Sequence, residues 1–432
     1  MKPGARLASA VEVLTEVIER HRPAAQALSD WGKSSRFAGS GDRAAIGNLV
    51  YDALRRKLSL AAQMGSDSPR ALILAAAPRA FALPARQIAE ITDGSRHALP
   101  PLSNNELAGL ERNLPTEMPA YICGDYPEWL APSIERTFGA EAARQGAALA
   151  RRAPLDLRTN ALKTKREQLL KALAKTSVKE GRYAPLAARI PPPDGPGRTP
   201  NVEAETAHGR GWFEVQDEGS QIAAALAGAK PRLQVLDLCA GAGGKTLALA
   251  GTMQNTGQIF AYDTSKHQLR PIFERIQRAG VRNVQVLEAG DEAALDALKK
   301  RFNIVFADAP CTGSGVWRRR PDAKWRVKPA NLASRIAEQQ RVLTKARPLV
   351  KPGGLLLYVT CSILPEENTD QVAWFLNQAP EFRSIAYTDR WRSTLLGEAP
   401  QSADKSDRTL LLTPASHGTD GFFIAAFERI GE

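Results

Sequence analysis

Cysteine is scarce in this chain: Cys123, Cys239, Cys311 and Cys361 are the only four in 432 residues. None forms a CxxC pair, and the five histidines (His21, His97, His208, His267, His417) are scattered, so neither a disulfide framework nor a metal site is expected. No run of about 18 apolar residues occurs, which excludes a membrane-spanning helix. Met1 to Val13 lacks the apolar core of a signal peptide. With ordinary apolar (43%) and charged (24%) fractions, these absences leave a cytoplasmic globular protein with no membrane partner. No repeat or low-complexity tract is evident, and the length implies two or three domains.

Acids are outnumbered too, 46 against 58 lysines and arginines, for a net charge of +12. Such a balance suits a polyanionic partner, because cations that neutralise phosphates release condensed counterions. A well-solvated basic surface has the same composition, so location carries the argument. Arg318, Arg319, Arg320, Lys324 and Arg326 crowd one segment with Trp317 and Trp325. Cations interleaved with aromatic faces suit a partly unstacked nucleic acid.

The chain changes character twice. Leu7, Val11, Leu14, Val17 and Ile18 follow one helical face, and Ile46, Leu49, Val50 and Leu54 follow the capping region Ser40-Gly41-Asp42. Residues 1–112 are expected to form a helical module. Residues 113–211 combine a helix-like stretch (Pro127 to Leu149), an extended segment (Leu155 to Asn160), a helix (Lys165 to Lys175) and the loop Pro191 to Gly197. They read as a small α+β domain. Residues 212–432 alternate helical patterns with short apolar strands: 234–238, 258–263, 284–287, 304–308, 355–360 and 422–427. That alternation predicts an α/β, Rossmann-like, doubly wound sheet.

The first of these strands runs into Cys239-Ala240-Gly241-Ala242-Gly243-Gly244-Lys245-Thr246. Glycine there permits positive φ and a close approach of backbone to ligand. The spacing matches neither GxxxxGK[ST] nor GxGxxG, and it suits a nucleoside with a short charged tail better than a pyrophosphate. Asp263 ends the second strand about 20 residues on, where an acid takes ribose hydroxyls. Asp291, after the third strand, is a candidate for an adenine amine or a solvated loop acid. By itself this loop marks a nucleotide or cofactor site of no particular kind.

Cys311, in Asp308-Ala309-Pro310-Cys311-Thr312-Gly313-Ser314-Gly315, follows the fourth strand, and Cys361, in Thr360-Cys361-Ser362, follows the fifth. In a doubly wound sheet both lie at the carboxyl edge, beside the cofactor crevice. One cysteine in an apolar strand is usually structural, and Cys239 fits that description. Two at the ends of adjacent strands suit methylation at carbon 5 of cytosine. That carbon becomes nucleophilic only after a thiolate adds at carbon 6, and a second group must then assist proton removal. Asp308 is placed to stabilise the adduct at ring nitrogen 3.

These motifs closely resemble the RsmB/Sun family of RNA cytosine-5 methyltransferases. The resemblance rests on Gln216-Asp217-Glu218-Gly219-Ser220-Gln221, the glycine loop, both cysteine turns, Arg318-Arg319-Arg320-Pro321-Asp322 with Trp325, Lys351-Pro352-Gly353-Gly354, Pro365-Glu366-Glu367-Asn368 and Asp420-Gly421-Phe422-Phe423. It implies S-adenosyl-L-methionine as cofactor, held by Cys239 through Lys245, Asp263, Asp291 and Asp308. It also implies Cys361 as nucleophile and Cys311 as the residue assisting product release. Arg318, Arg319, Arg320, Lys324, Trp325 and Arg326 become RNA-binding candidates. Ala242 stands where the family usually carries proline, which loosens the turn.

Upstream, Ser40-Gly41-Asp42-Arg43 with Leu49 to Arg56 looks like the NusB-like RNA-binding module of bacterial members. Leu157-Arg158-Thr159-Asn160 looks like the strand opening their pre-catalytic RNA-binding domain. The NusB-like start favours small-subunit ribosomal RNA over transfer RNA, and a monomer is expected. Two other readings share the fold: a NusB-like RNA-binding protein without catalysis, and a methyltransferase of proteins or small molecules. Neither needs the thiol pair.

Overall fold

A computed structural model of the chain describes residues 1–114 and 117–431. They form two compact units. The first comprises Met1–Ala153, Pro192–Thr199 and Trp317–Val327, and the second comprises Pro154–Pro191, Pro200–Val316 and the chain from Lys328.

The first unit is helical. Pro3–Ile18 buries Leu7, Ala10, Val13, Leu14 and Val17 along one face, the stripe that its periodicity demands. In Ser40–Arg55 the Asp42 carboxylate accepts the Gly39 amide at 3.2 Å, satisfying a donor near the start of the helix. Pro69–Phe81 buries every residue from Ala71 to Ala77, as a central helix apolar on all sides must. The helices do not stop at residue 112. Ala120–Cys123, Ala131–Phe138 and Ala142–Leu149 belong to the same unit. One reason is Asp125, whose carboxylate accepts both the Ser59 amide (2.9 Å) and the Ser59 hydroxyl (2.7 Å). The helix-like stretch from Pro127 breaks at Gly139, which adopts φ +54°.

Among the described residues, the second unit holds twelve strands. β1 (Leu155–Thr159), β2 (Lys179–Glu180), β3 (Ala187–Ile190) and β4 (Phe213–Val215) form an antiparallel sheet ordered β2-β3-β1-β4. Phe213–Val215 thus completes the small sheet, although sequence patterning groups it with the segment downstream of Trp212. The larger sheet contains β5 (Gln234–Asp237), β6 (Gln258–Ala261), β7 (Val284–Val286), β8 (Phe302–Asp308), β9 (Val350–Thr360), β10 (Phe382–Ile385), β11 (Leu410–Leu412) and β12 (Phe422–Arg429). Its order is β10-β12-β9-β8-β5-β6-β7, with β11 on β12. Strands β5 to β9 run parallel, whereas β12 is antiparallel to β9. Chain order reverses between β5 and β8, and ligands of open α/β sheets bind at the carboxyl edge beside such a reversal. Asp237, Asp308 and Thr360 end their strands at that edge.

Candidate active site

A cavity of about 880 Å³ opens at this edge, floored by the loop between β5 and the helix Gly244–Thr252. Cys239, Ala240, Gly241, Ala242, Gly244 and Lys245 line it. Two glycines of the loop do different work. At Gly241 (φ +48°) an added Cβ would meet nothing within 4 Å, which leaves the backbone open to a ligand. At Gly243 (φ +83°) it would lie 2.4 Å from Ile272 Cγ1, so this glycine serves close packing beneath the loop and does not line the cavity.

Asp263 lines the cavity and shapes it. Its carboxylate accepts the Gly241 amide at 3.0 Å and the Ser265 amide at 2.8 Å. Asp291 does not line the cavity; it caps the helix Glu292–Asp296 by accepting the Ala294 amide at 2.9 Å, and Glu292 lines the cavity instead. Beneath the floor, Asp237 is fully buried and accepts the Thr246 hydroxyl at 2.6 Å. Burial raises its carboxyl to about 7, against the pull of that hydrogen bond. At Ala242, Arg275 Nη1 donates to the carbonyl at 2.8 Å while the same guanidinium pairs with Glu214, so the turn is tethered without proline.

Lys245 Nζ lies 2.5 Å from Asp308 Oδ2, tying the glycine loop to the end of β8. Burial pulls the Lys245 ammonium down, but Asp308, with Cys361 and Asp237 behind it, outweighs this and holds it above its ordinary value. Just beyond, Cys311 Sγ and Cys361 Sγ are 3.3 Å apart. The contact with Cys361, then burial, pushes the Cys311 thiol well above the ordinary range. Cys239 is pushed up as well, by burial and then by the carboxylates of Asp237, Asp308 and Asp263, so it stays a thiol.

The two cysteine turns are laced together. Ser314 and Ser362 hydroxyls are 2.9 Å apart, the Ile363 amide donates to Ser314 Oγ at 2.9 Å, and the Gly315 amide donates to the Cys361 carbonyl at 2.9 Å. A Cβ on Gly315 would stand 2.2 Å from the Gly421 carbonyl oxygen, which requires glycine. Arg158, buried on β1, donates to the Gly244 carbonyl at 2.7 Å and to Gln216. Burial draws its guanidinium down to about 10. Arg275 lacks any local sequence signal, because it meets Ala242 and Glu214 from a distant part of the chain.

The basic segment after Cys311 is not a solvent-facing stripe. Lys324 is 1% exposed and donates to the Arg55 carbonyl at 2.7 Å; Trp325 Nε1 donates to the Leu54 carbonyl at 2.6 Å. Arg318 is buried, its carbonyl accepting from Arg55 Nε at 2.9 Å, and Arg319 is half-buried. Arg320 and Arg326 are exposed, Arg326 pairing with Asp322 at 2.9 Å. Burial lowers Lys324 to about 7, aided by Arg55 and opposed by Asp125. Aromatic and aliphatic groups here pack into the helical unit, a purpose that composition does not distinguish from stacking on bases.

Among the described residues no cluster of His, Cys, Asp or Glu is arranged to hold a metal, and no helix is long and apolar enough to cross a membrane. A solved structure, PH0851, is 24% identical over 99% of both chains with a TM-score of 0.74 and shares the fold. The "Probable ribosomal RNA small subunit methyltransferase B" of Synechocystis is 33% identical over 70% of this chain and 67% of its own. The "Ribosomal RNA small subunit methyltransferase B" of Sodalis glossinidius is 31% identical over 79% and 76%. Residues 126–191 match the family described as Methyltr_RsmF/B-like, ferredoxin-like domain. Residues 224–428, which carry the glycine loop and both cysteine turns, match the family described as 16S rRNA methyltransferase RsmB/F, and the chain belongs to that family.

Proposed function

We propose that this chain methylates carbon 5 of a cytosine in small-subunit ribosomal RNA, through a covalent bond between Cys361 and carbon 6. The observation that carries the reading is the 3.3 Å contact between Cys311 and Cys361 beside the Lys245–Asp308 pair. Neither a protein methyltransferase nor a scaffold without catalysis needs two thiols at one sheet edge.

S-adenosylmethionine fits the cavity: Gly241 offers open backbone, Asp263 and Glu292 supply acceptors, and the volume of about 880 Å³ accommodates a nucleoside with an amino-acid tail. When bound it supplies an electrophilic methyl on sulfur. Cys361 adds as thiolate to carbon 6, and the displaced ring electrons make carbon 5 nucleophilic. The proton lost by the Cys361 thiol is taken up at nitrogen 3, where Asp308 accepts its hydrogen bond with Lys245 holding that carboxylate in place. That proton leaves nitrogen 3 when the Cys361 thiolate is expelled. Once Cys361 is bonded to carbon, it no longer contacts Cys311 as a neighbouring thiol or thiolate, the largest influence raising Cys311. Cys311 then releases its own proton to solvent and, as thiolate, accepts the carbon 5 proton. The electron pair released restores the ring double bond and expels the Cys361 thiolate.

The helical unit Met1–Ala153 serves as the NusB-like RNA-binding module in this reading, with Arg320 and Arg326 as its exposed cations from the Trp317–Val327 segment. Release of tritium from carbon-5-labelled cytosine in ribosomal RNA tests the chemistry. Methyl transfer without tritium release would refute it. Bisulfite mapping of cells with and without the protein identifies the RNA.

A further inference from the structure

Cys311 and Cys361 lie on different loops, fifty positions apart in the chain. Sulfurs in contact across such a gap require both loops to be held, and two adjacent residues do the holding. Glu367 accepts the Thr312 amide at 2.8 Å on Oε1 and the Thr312 hydroxyl at 2.6 Å on Oε2, one residue beyond Cys311. Gln339 Nε2 donates to the same carboxylate at 3.0 Å and to the Pro310 carbonyl at 3.0 Å, on the other side of Cys311. Asn368 treats Cys361 in the same way. Its Oδ1 accepts the Thr360 hydroxyl at 2.6 Å and its Nδ2 donates to the Ser362 carbonyl at 2.9 Å, bracketing the cysteine.

Ordinary structural duties do not account for this pair. Asn368 occupies the N-cap position of Thr369–Gln378, yet its side chain makes no capping bond to that helix. Glu367 is 0% exposed and makes no ion pair among the described residues, a costly placement for a carboxyl unless its hydrogen bonds have a purpose. Tyr358 donates its hydroxyl to the Glu367 carbonyl at 2.6 Å, which pins the dipeptide to β9, the strand that delivers Cys361.

We propose that Glu367–Asn368 is a positioning clamp that sets the distance between the two catalytic sulfurs, Glu367 holding the Cys311 loop and Asn368 the Cys361 turn. The peptide bond joining them makes the two placements one. The clamp itself stands on geometry; its consequences for turnover rest on the cysteine roles proposed above.

The test begins with thiol proximity in the full-length protein. Diamide joins neighbouring thiols as a disulfide: both sulfurs are oxidised, and their two hydrogens pass to diamide, which becomes the hydrazine. Peptide mapping follows the Cys311–Cys361 product with time. Glu367→Ala and Asn368→Ala should each slow closure about tenfold or more, the cost of losing several buried hydrogen bonds. Glu367→Gln keeps the reach and an acceptor for Thr312, and should restore closure to within about twofold. Gln371→Ala, which loses a buried amide bonded to the Glu366 carbonyl, is the control for a merely structural role and should leave closure unchanged. If Glu367→Ala fails to fold, Thr312→Val breaks the same latch from the other side and should slow closure several-fold.

Unchanged closure in Asn368→Ala and in the Glu367 or Thr312 variants overturns the clamp. With RNA present, Asn368→Ala should slow adduct formation, whereas Glu367→Ala or Thr312→Val should slow its resolution. If closure slows as expected but even Cys311→Ala traps no adduct, the clamp stands and the cysteine roles fall.

Discussion

Lys245 and Asp308 meet across the strand reversal, Nζ 2.5 Å from Oδ2, with Lys245 leaving the glycine loop and Asp308 ending β8. Phe422 lies 5.3 Å beneath the ammonium, so the cation is held between a carboxylate and an aromatic face. One contact thereby fixes the glycine loop against the loop that carries Cys311.

Breaking that contact should separate stability from chemistry. Asp308→Ala leaves the Lys245 ammonium without its partner in a mostly buried place, and stability should fall by about 1–3 kcal/mol in urea titration. Asp308→Asn keeps an acceptor for Lys245 and should cost less. Both should lose activity by about a hundredfold or more, because neither offers a carboxylate at ring nitrogen 3. Wild-type turnover in Asp308→Asn would remove Asp308 from the mechanism.

The cysteines should fail in different ways. Cys361→Ala abolishes methylation and forms no covalent complex. Cys311→Ala accumulates a protein–RNA adduct, visible as a shifted band on a denaturing gel. Normal turnover of the Cys311 variant without an adduct contradicts the assigned roles.

Gly241 and Gly243 should separate folding from binding. Gly243→Ala forces a methyl against Ile272, and overpacking together with positive φ should cost about 2–4 kcal/mol. Gly241→Ala meets open space and carries only the backbone penalty of about 1–2 kcal/mol. Its methyl points where a ligand would lie, so calorimetry should show weakened S-adenosylmethionine binding in a folded protein. Equal thermal stability of the two variants would contradict this division.

Lys324 gives the fold a pH dependence. Its folded pKa, about 7, lies below the value of about 10.4 for a free lysine. Between these limits the unfolded chain binds the extra proton, so this group makes stability rise with pH from about 7 to about 10, by up to about 1.4 kcal/mol per unit. Below about 7 both states are protonated and the contribution is flat. Denaturant titrations across that range should show the rise in wild type and a shallower one in Lys324→Met; identical slopes would show that Lys324 is not desolvated.

The doubly wound sheet was legible because its central strands are continuous apolar runs and a glycine-rich loop follows β5. β10 and β11 were not. β10 is an edge strand of mixed burial, and three leucines make β11 too short to show a period. The segment Trp317–Val327 misled for a related reason. Tryptophan beside lysine has one composition whether the ring stacks on a base or packs into a protein core, and Trp325 does the latter.

The sequence by itself determined the parallel sheet, the residue types at its carboxyl edge and the presence of two thiols on successive loops, because periodicity and turn chemistry are local properties. Tertiary structure decided that those thiols touch. It also decided that Asp291 caps a helix and does not line the cavity, and that Glu367 and Asn368 grip the two loops. Each of those facts depends on side chains meeting from distant parts of the chain, and no local pattern encodes such a meeting.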